Sequence, residues 1–303
     1  MQTTSHLLMI RPVHFTFNEQ TAVNNAFQVA AADNDTPQKA LKEFNDFVQV
    51  LTNNGIDVTV INDTLQPHTP DSIFPNNWIS FHQDGTILLY PMYAANRRQE
   101  RKPHVIEKIK EKFSITKTID LTNYENNNLF LEGTGSMVLD RENKIAYACL
   151  SQRTDADVLK DFCNQMNFTP VFFYAVDANN APIYHTNVMM CIADKYAVIC
   201  LDAIADEQER NKVIKTLENT NKQIVAITHQ QMNQFAGNML QVNNQEGMHF
   251  LVMSSQAYHS LTQEQVQLLE NFNPILHSSL TTIETNGGGS ARCMLAEVFL
   301  PLK

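Results

Sequence analysis

Cys293 stands almost at the end of the 303-residue chain, in Asn286-Gly287-Gly288-Gly289-Ser290-Ala291-Arg292-Cys293-Met294. Three of the nine glycines in the whole sequence sit side by side here, and an apolar run from Met294 to Leu300 follows, broken only by Glu297. A glycine loop that feeds a strand leaves a thiol at the strand mouth, within reach of a small molecule. A free thiol is only slightly ionised at neutral pH, so a nucleophilic cysteine needs help. His185, in Tyr184-His185-Thr186-Asn187, would stabilise the thiolate and then serve as general acid and base. Glu132, in Leu131-Glu132-Gly133-Thr134-Gly135, would hold the imidazole in one tautomer, completing a Cys-His-acid arrangement. Asp71 leads a further polar stretch, Asp71-Ser72-Ile73-Phe74-Pro75-Asn76-Asn77-Trp78. No HExxH or paired-histidine spacing supports a metal, and no Gly-Lys-Ser/Thr follows the glycines, so they are not a phosphate loop.

These residues lie up to about 220 positions apart, so the fold must bring them together. Strand-like and helical segments recur in a fixed order. Trp78 to Phe81 and Thr86 to Tyr90 read as a strand pair, Arg101 to Lys112 as a helix and Ser114 to Leu121 as a strand. The second unit runs Ser136 to Leu139, Ile145 to Leu150, a helix from Asp155 to Met166, and Thr169 to Tyr174. The third runs Asn187 to Ile192, Tyr196 to Leu201, a helix from Asp206 to Glu218, and Gln223 to Ile227. The fourth runs Met239 to Val242, His249 to Ser254, a helix from Thr262 to Asn271, and Pro274 to Ser278. The fifth is split: the strand after Cys293 is completed by Leu7 to Arg11, the helix Gln38 to Asn53 and Ile56 to Ile61. Five strand-strand-helix-strand units at a period of roughly 50 residues predict a closed, propeller-like α/β array. In such an array equivalent positions converge on the axis. Asp71, Glu132, His185 and Cys293 all fall at unit starts and are therefore expected to meet.

Composition narrows the function. A hydrophobic content of 43%, a charged content of 18% and a net charge of −10 describe a globular chain that repels nucleic acid and acidic membranes. No apolar run reaches the length of a membrane span, and the N-terminus lacks the pattern of a secretory signal. The five cysteines, Cys149, Cys163, Cys191, Cys200 and Cys293, are odd in number and form no CxxC pair. This predicts neither a disulfide framework nor a cysteine zinc site, and fits a reducing cytoplasm. All but Cys293 fall on apolar runs or a helix face and read as core.

In their order and spacing, Pro70-Asp71-Ser72-Ile73-Phe74, Leu131-Glu132-Gly133, Leu150-Ser151-Gln152-Arg153-Thr154, His185 and the terminal segment with Cys293 resemble the guanidino-group-modifying enzymes of the pentein superfamily. The resemblance covers nearly the whole chain and is nearest to the dimethylaminohydrolase-like, citrulline-utilisation hydrolases. It implies one pentein domain over residues 1–303, a five-bladed α/β propeller of ββαβ units. It assigns Cys293 as nucleophile, His185 as general acid and base, Glu132 as the acid behind it, and Asp71 as a substrate-binding acid. Arg153 and Arg97 become contacts for a substrate α-carboxylate, a task suited to the two-pronged guanidinium. No metal or organic cofactor is implied.

The sequence departs from these relatives where they carry acids. Asn77 stands in place of the acid of a Phe-x-x-Asp pattern, Asn187 in place of an aspartate two residues after the histidine, and Gly135 in place of the last residue of Glu-Gly-Gly-Asp. A guanidinium without its counter-charges is costly to desolvate, whereas a neutral ureido group matches amides that both donate and accept. The expectation is a hydrolase of a ureido or guanidino amino acid, citrulline-like by preference, with Asn76, Asn77 and Asn187 contributing to binding. Its partner is that small molecule, with homo-oligomerisation left open. An amidinotransferase, an arginine deiminase or dimethylarginine dimethylaminohydrolase activity, and a non-catalytic binding protein are the rivals.

Overall fold

The computed structural model describes residues 1–25, 27–30 and 35–303. The strands of the described residues form five sheets of three strands each. In each sheet an antiparallel pair is joined by a third strand running parallel to the middle one. A parallel neighbour needs a crossover, and a helix supplies it every time. The first blade is Ile79–Phe81, Thr86–Leu89, helix Pro103–Lys112 and Lys117–Asp120; the second is Val138–Asp140, Ile145–Cys149, helix Ala156–Met166 and Thr169–Phe173. The third is Met190–Ile192, Tyr196–Ile199, helix Glu207–Asn219 and Gln223–Ala226; the fourth is Leu240–Asn243, His249–Ser254, helix Gln263–Glu270 and Ile275–Ser278. In the split blade Ala296–Glu297 pairs with His6–Arg11, which pairs in turn with Asp57–Asn62 across the helix Thr36–Asn53. The predicted pentein propeller, with its fifth unit closed from both ends of the chain, is the fold.

The helix Ala156–Met166 illustrates how the sequence builds a blade. Asp155 caps it by accepting from the backbone of Asp157 and Val158. Val158, Leu159, Phe162, Cys163 and Met166 fall on one face and are buried against the sheet. Asn167, in the left-handed conformation at φ 57°, ends it. Phe162 is wholly buried, so its truncation to alanine would cost about 3–5 kcal/mol.

Single turns at the inner ends of the blades position the site. Pro75–Asn77, Gly133–Ser136, Thr186–Met189 and Ala291–Met294 each form one helical turn just before a first strand. Hydrogen bonds link these turns around the axis. Asn76 Nδ2 donates to Thr134 Oγ1 at 3.3 Å and Thr186 Oγ1 to the Ser136 carbonyl at 2.5 Å. Asn238 Nδ2 donates to the Asn187 carbonyl at 2.9 Å, and the Arg292 N–H donates to Asn238 Oδ1 at 3.0 Å. One expectation changes here. Cys293 lies in a helical turn rather than at the mouth of a long strand, and only Ala296 and Glu297 enter the ladder. The rest of the apolar run is consumed by packing: Met294, Leu295 and Val298 are buried in core clusters on either side.

Candidate functional site

Around the axis, the turns and the polar segment Asn18–Asn25 enclose a small cavity lined by Asp71, Asn77, Arg97, Arg153, His185 and Cys293, with Phe74, Tyr184 and the three glycines completing its walls. Glu132 stands directly behind His185, its Oε2 2.8 Å from His185 Nε2 and fully buried. Burial alone would raise the Glu132 carboxyl, but the Arg153 guanidinium, His185 and Arg97 together hold it down to about 2. Burial lowers the His185 imidazole to about 4 against the opposing pull of Glu132. At neutral pH the pair is therefore an ionised carboxylate and a neutral ring. A carboxylate only accepts, so Nε2 carries the proton and Nδ1 keeps its lone pair. In this state the ring offers a lone pair at Nδ1 and carries no positive charge.

Gly135 explains how the ring reaches that position. A Cβ built on it would lie 2.8 Å from His185 Nδ1 and 2.3 Å from Asn77 Nδ2. The imidazole and the Asn77 amide therefore rest against bare backbone. The residue where relatives carry an acid is here the floor on which two site groups lie.

Arg97 is buried, but not as expected. Its two-pronged face is spent on Glu100, with Nε and Nη2 donating at 2.8 and 2.9 Å. Its Nη1 donates to Asn77 Oδ1 at 2.8 Å. Because arginine only donates, this bond fixes the Asn77 amide with its oxygen toward Arg97, leaving Nδ2 buried and, among the described residues, without a partner. Arg97 Nε also lies 3.7 Å from Asp71 Oδ2, which accepts from Asn18 Nδ2 at 2.8 Å and Thr21 Oγ1 at 3.1 Å. Asp71 Oδ1 has no partner among the described residues, and burial raises this carboxyl. Arg153 lies over the Tyr184 ring at 4.8 Å. It donates to Asn24 Oδ1 from Nε and Nη2 and to the Thr21 carbonyl, and its Nη1 is 3.6 Å from Glu132.

Asn187 and Asn238 flank the thiol. Their Nδ2 atoms lie 3.5 and 3.3 Å from Cys293 Sγ, and Asn187 Oδ1 is another buried polar atom without a partner among the described residues. Gly288, at φ +62°, ends the helix Thr281–Gly287 in a conformation glycine adopts freely, and its carbonyl accepts from Tyr184 Oη at 2.7 Å. The other four cysteines are inert core: burial pushes Cys149, Cys163 and Cys191 up to about 12 and Cys200 to about 11.

Of the nine expected site residues, Cys293, His185, Glu132, Asp71, Asn77, Arg97, Arg153 and Asn187 converge. Asn76 does not line the cavity; it links the turns of the first two blades through Thr134. Sequence reasoning missed Asn238, Asn18, Thr21 and Asn24. Asn238 carried a usable signal, since it precedes the first strand of the fourth blade as Asn187 and Cys293 precede theirs. Among the described residues no group of three or more His, Cys, Asp or Glu could hold a metal ion, and no helix is long and apolar enough to cross a membrane.

Comparison with known proteins agrees with this architecture. The family model for eukaryotic N,N dimethylarginine dimethylhydrolase matches residues 11–300. No curated protein matches. Among solved structures, the substrate-bound N-terminal domain of ArgZ, an arginine dihydrolase from the ornithine–ammonia cycle in Cyanobacteria, is similar with a TM-score of 0.76 and 19% identity over 98% of both chains. Unliganded AgrE gives 0.76 and 20%, covering 98% of this chain and 40% of that one. A dimethylarginine dimethylaminohydrolase adduct with S-methyl-L-thiocitrulline gives 0.64 and 14%, covering 97% and 99%. At these identities the likeness is one of fold, whereas the family match spans almost the whole sequence. The chain belongs to the N,N-dimethylarginine dimethylhydrolase family of the pentein superfamily, and is a hydrolase of non-peptide C–N bonds.

Proposed function

We propose that residues 1–303 work as one cytoplasmic domain that hydrolyses a ureido or guanidino amino acid through a covalent Cys293 intermediate, with a citrulline-like substrate preferred. The observation that carries the preference is Asn77 Nδ2, a buried donor without a partner among the described residues, on a cavity-lining amide whose oxygen is held by Arg97. A ureido C=O accepts from it; a guanidinium, which only donates, leaves it unpaired at a cost of about 1–3 kcal/mol. Asn187 Oδ1 and Asp71 Oδ1, both unpaired acceptors, suit the ureido N–H groups.

In this mechanism His185 Nδ1 takes the Cys293 thiol proton. Sγ attacks the ureido carbon, the C–NH₂ bond breaks, and the proton passes from His185 to the departing nitrogen, which leaves as ammonia. Water, deprotonated by His185, then attacks the thiocarbamate carbon, and the C–S bond breaks to regenerate the thiol. The released carbamate yields ornithine and carbon dioxide. Glu132 keeps His185 in the productive tautomer throughout. Arg153 receives the substrate α-carboxylate in place of Asn24 Oδ1, which now occupies two of its prongs; Arg97 orients Asn77.

A second reading has arginine as the entry substrate, losing both nitrogens on the way to ornithine. It is favoured by the unpaired carboxylate oxygen of Asp71 and by the likeness in fold to ArgZ, an arginine dihydrolase. Incubation with citrulline, arginine and methylated arginines, scoring ornithine, citrulline and ammonia, separates the two. A higher kcat/KM for arginine than for citrulline overturns the ureido preference. Ammonia release that requires an added amine would point to an amidinotransferase.

A further inference from the structure

We infer that Asn238 is a catalytic residue, the principal hydrogen-bond donor to the sulfur of Cys293. The inference goes beyond the substrate reading and rests only on Cys293 being the nucleophile. Asn238 is fully buried, and two backbone groups determine its amide orientation. The Arg292 N–H can only donate, so the atom 3.0 Å from it is the oxygen. The Asn187 carbonyl can only accept, so the atom 2.9 Å from it is the nitrogen. The second hydrogen of that nitrogen is directed at Cys293 Sγ, 3.3 Å away. Asn187 Nδ2 is the weaker partner at 3.5 Å.

The need for such a donor follows from His185. A neutral imidazole on the wall of the same cavity offers a base for the thiol proton but no standing positive charge. Negative charge gathering on sulfur must then be met by neutral dipoles, and a preorganised amide costs no reorganisation when that charge develops. The thiol has a complementary contact: Asn238 Oδ1 lies 3.7 Å from Sγ, so one side chain serves the protonated sulfur with its oxygen and the ionised sulfur with its nitrogen. The position is also structural, because the same amide links the third, fourth and split blades. A test must therefore separate reactivity from folding.

The sulfur itself provides that readout. Iodoacetamide is added to the full-length protein at pH 7 and at pH 10, and alkylation of the Cys293 peptide is followed by mass spectrometry. The charged and titratable groups around the sulfur are His185 and Tyr184 of the third blade, Arg292 on its own turn, and Asp71, Arg97 and Arg153 across the cavity. None is altered by changing Asn238. Asn238→Ala is expected to slow alkylation at pH 7 by about tenfold to a hundredfold, the range for a hydrogen bond to a charged group, and by much less at pH 10. Asn238→Asp keeps shape and the oxygen facing Arg292 but turns the donor into an acceptor; it is expected to slow alkylation more than alanine does. If Asn238→Ala does not fold, the aspartate variant decides, with its fold checked by circular dichroism. Alkylation at pH 7 within twofold of the unmodified chain in a folded variant overturns the inference. If the unmodified chain is not alkylated at Cys293 at pH 7, the nucleophile assignment fails instead.

Discussion

The cavity has two unlike walls. On one, Glu132, Arg153, Arg97, Glu100 and Asp71 form a network in which charges face opposite charges at 2.8 to 4.0 Å, with the neutral His185 ring hydrogen-bonded to Glu132. On the other, around Cys293, stand amides and glycines: Asn77, Asn187, Asn238 and Gly287 to Gly289. The charged wall is nearly self-sufficient, with Asp71 Oδ1 its one buried oxygen unpaired among the described residues. The amide wall holds Asn77 Nδ2 and Asn187 Oδ1 without partners. A buried polar group left unpaired is destabilising unless a ligand pairs with it. On the proposed mechanism the difference is a division of labour: the charged wall sets the base, and the amide wall chooses what is attacked.

That division makes testable claims. The largest effect belongs to the atom both walls serve. Cys293→Ala is expected to lower ammonia release by at least about 10⁴-fold with any substrate, since no other described thiol lines the cavity. Activity retained within tenfold would remove Cys293 from the mechanism. Next comes Glu132→Gln, which leaves His185 a neutral partner that does not fix its tautomer. A fall in kcat of about 10³-fold is expected, by the same factor for citrulline and for arginine. If the factor differs tenfold between the two, the charged wall also reads the substrate and the division fails.

How legible each wall was in the sequence follows the same line. Cys293, His185, Glu132 and Asp71 stood out because these residue types rarely sit at four unit starts by accident, and the period of the repeat placed those starts on one axis. The five blades were legible because each helix carries a one-sided apolar face, as Val158, Phe162 and Met166 do. The amide wall was only half legible. Asparagine is common in the connecting segments of this chain, as in Asn126-Asn127-Asn128, so Asn238 carried no compositional signal. The cover formed by Asn18, Thr21 and Asn24 has no apolar period at all; it is held by polar contacts to Asp71 and Arg153 that only the assembled fold reveals. Arg97 was found, but its contacts were not: pairing with Glu100 three residues on is local, and the bond to Asn77 spans twenty.

A smaller, more specific effect is expected at Asn77. Asn77→Asp keeps an oxygen for Arg97 and turns the unpaired donor into an acceptor. The citrulline-to-arginine ratio of kcat/KM should fall by about tenfold to a hundredfold, the value of one hydrogen bond to a charged group. The gain for arginine and the loss for citrulline should appear in the same variant. An unchanged ratio, with both rates reduced, would mean that Asn77 is only part of the scaffold.

The smallest effect concerns what holds the amide wall in place. Glu284 lies in the helix before the glycines, and its Oε1 accepts from Ser290 Oγ at 2.6 Å, at the entrance to the Cys293 turn. Burial raises its carboxyl to about 7. The folded chain therefore binds this proton more tightly than the unfolded chain, whose ordinary value is 4.5. Between those values the native state holds more protons than the unfolded state, so stability falls as pH rises through the window. Glu284→Gln keeps an acceptor for Ser290 and removes the titration. Its Tm should match that of the unmodified chain near pH 5 and exceed it by roughly 2–6 °C at pH 8, corresponding to about 1–3 kcal/mol. Because the comparison is between two chains at each pH, the other buried carboxylates cancel. Parallel Tm curves across that range would show that Glu284 is already ionised in the fold, and that the nucleophile turn is anchored by a charge after all.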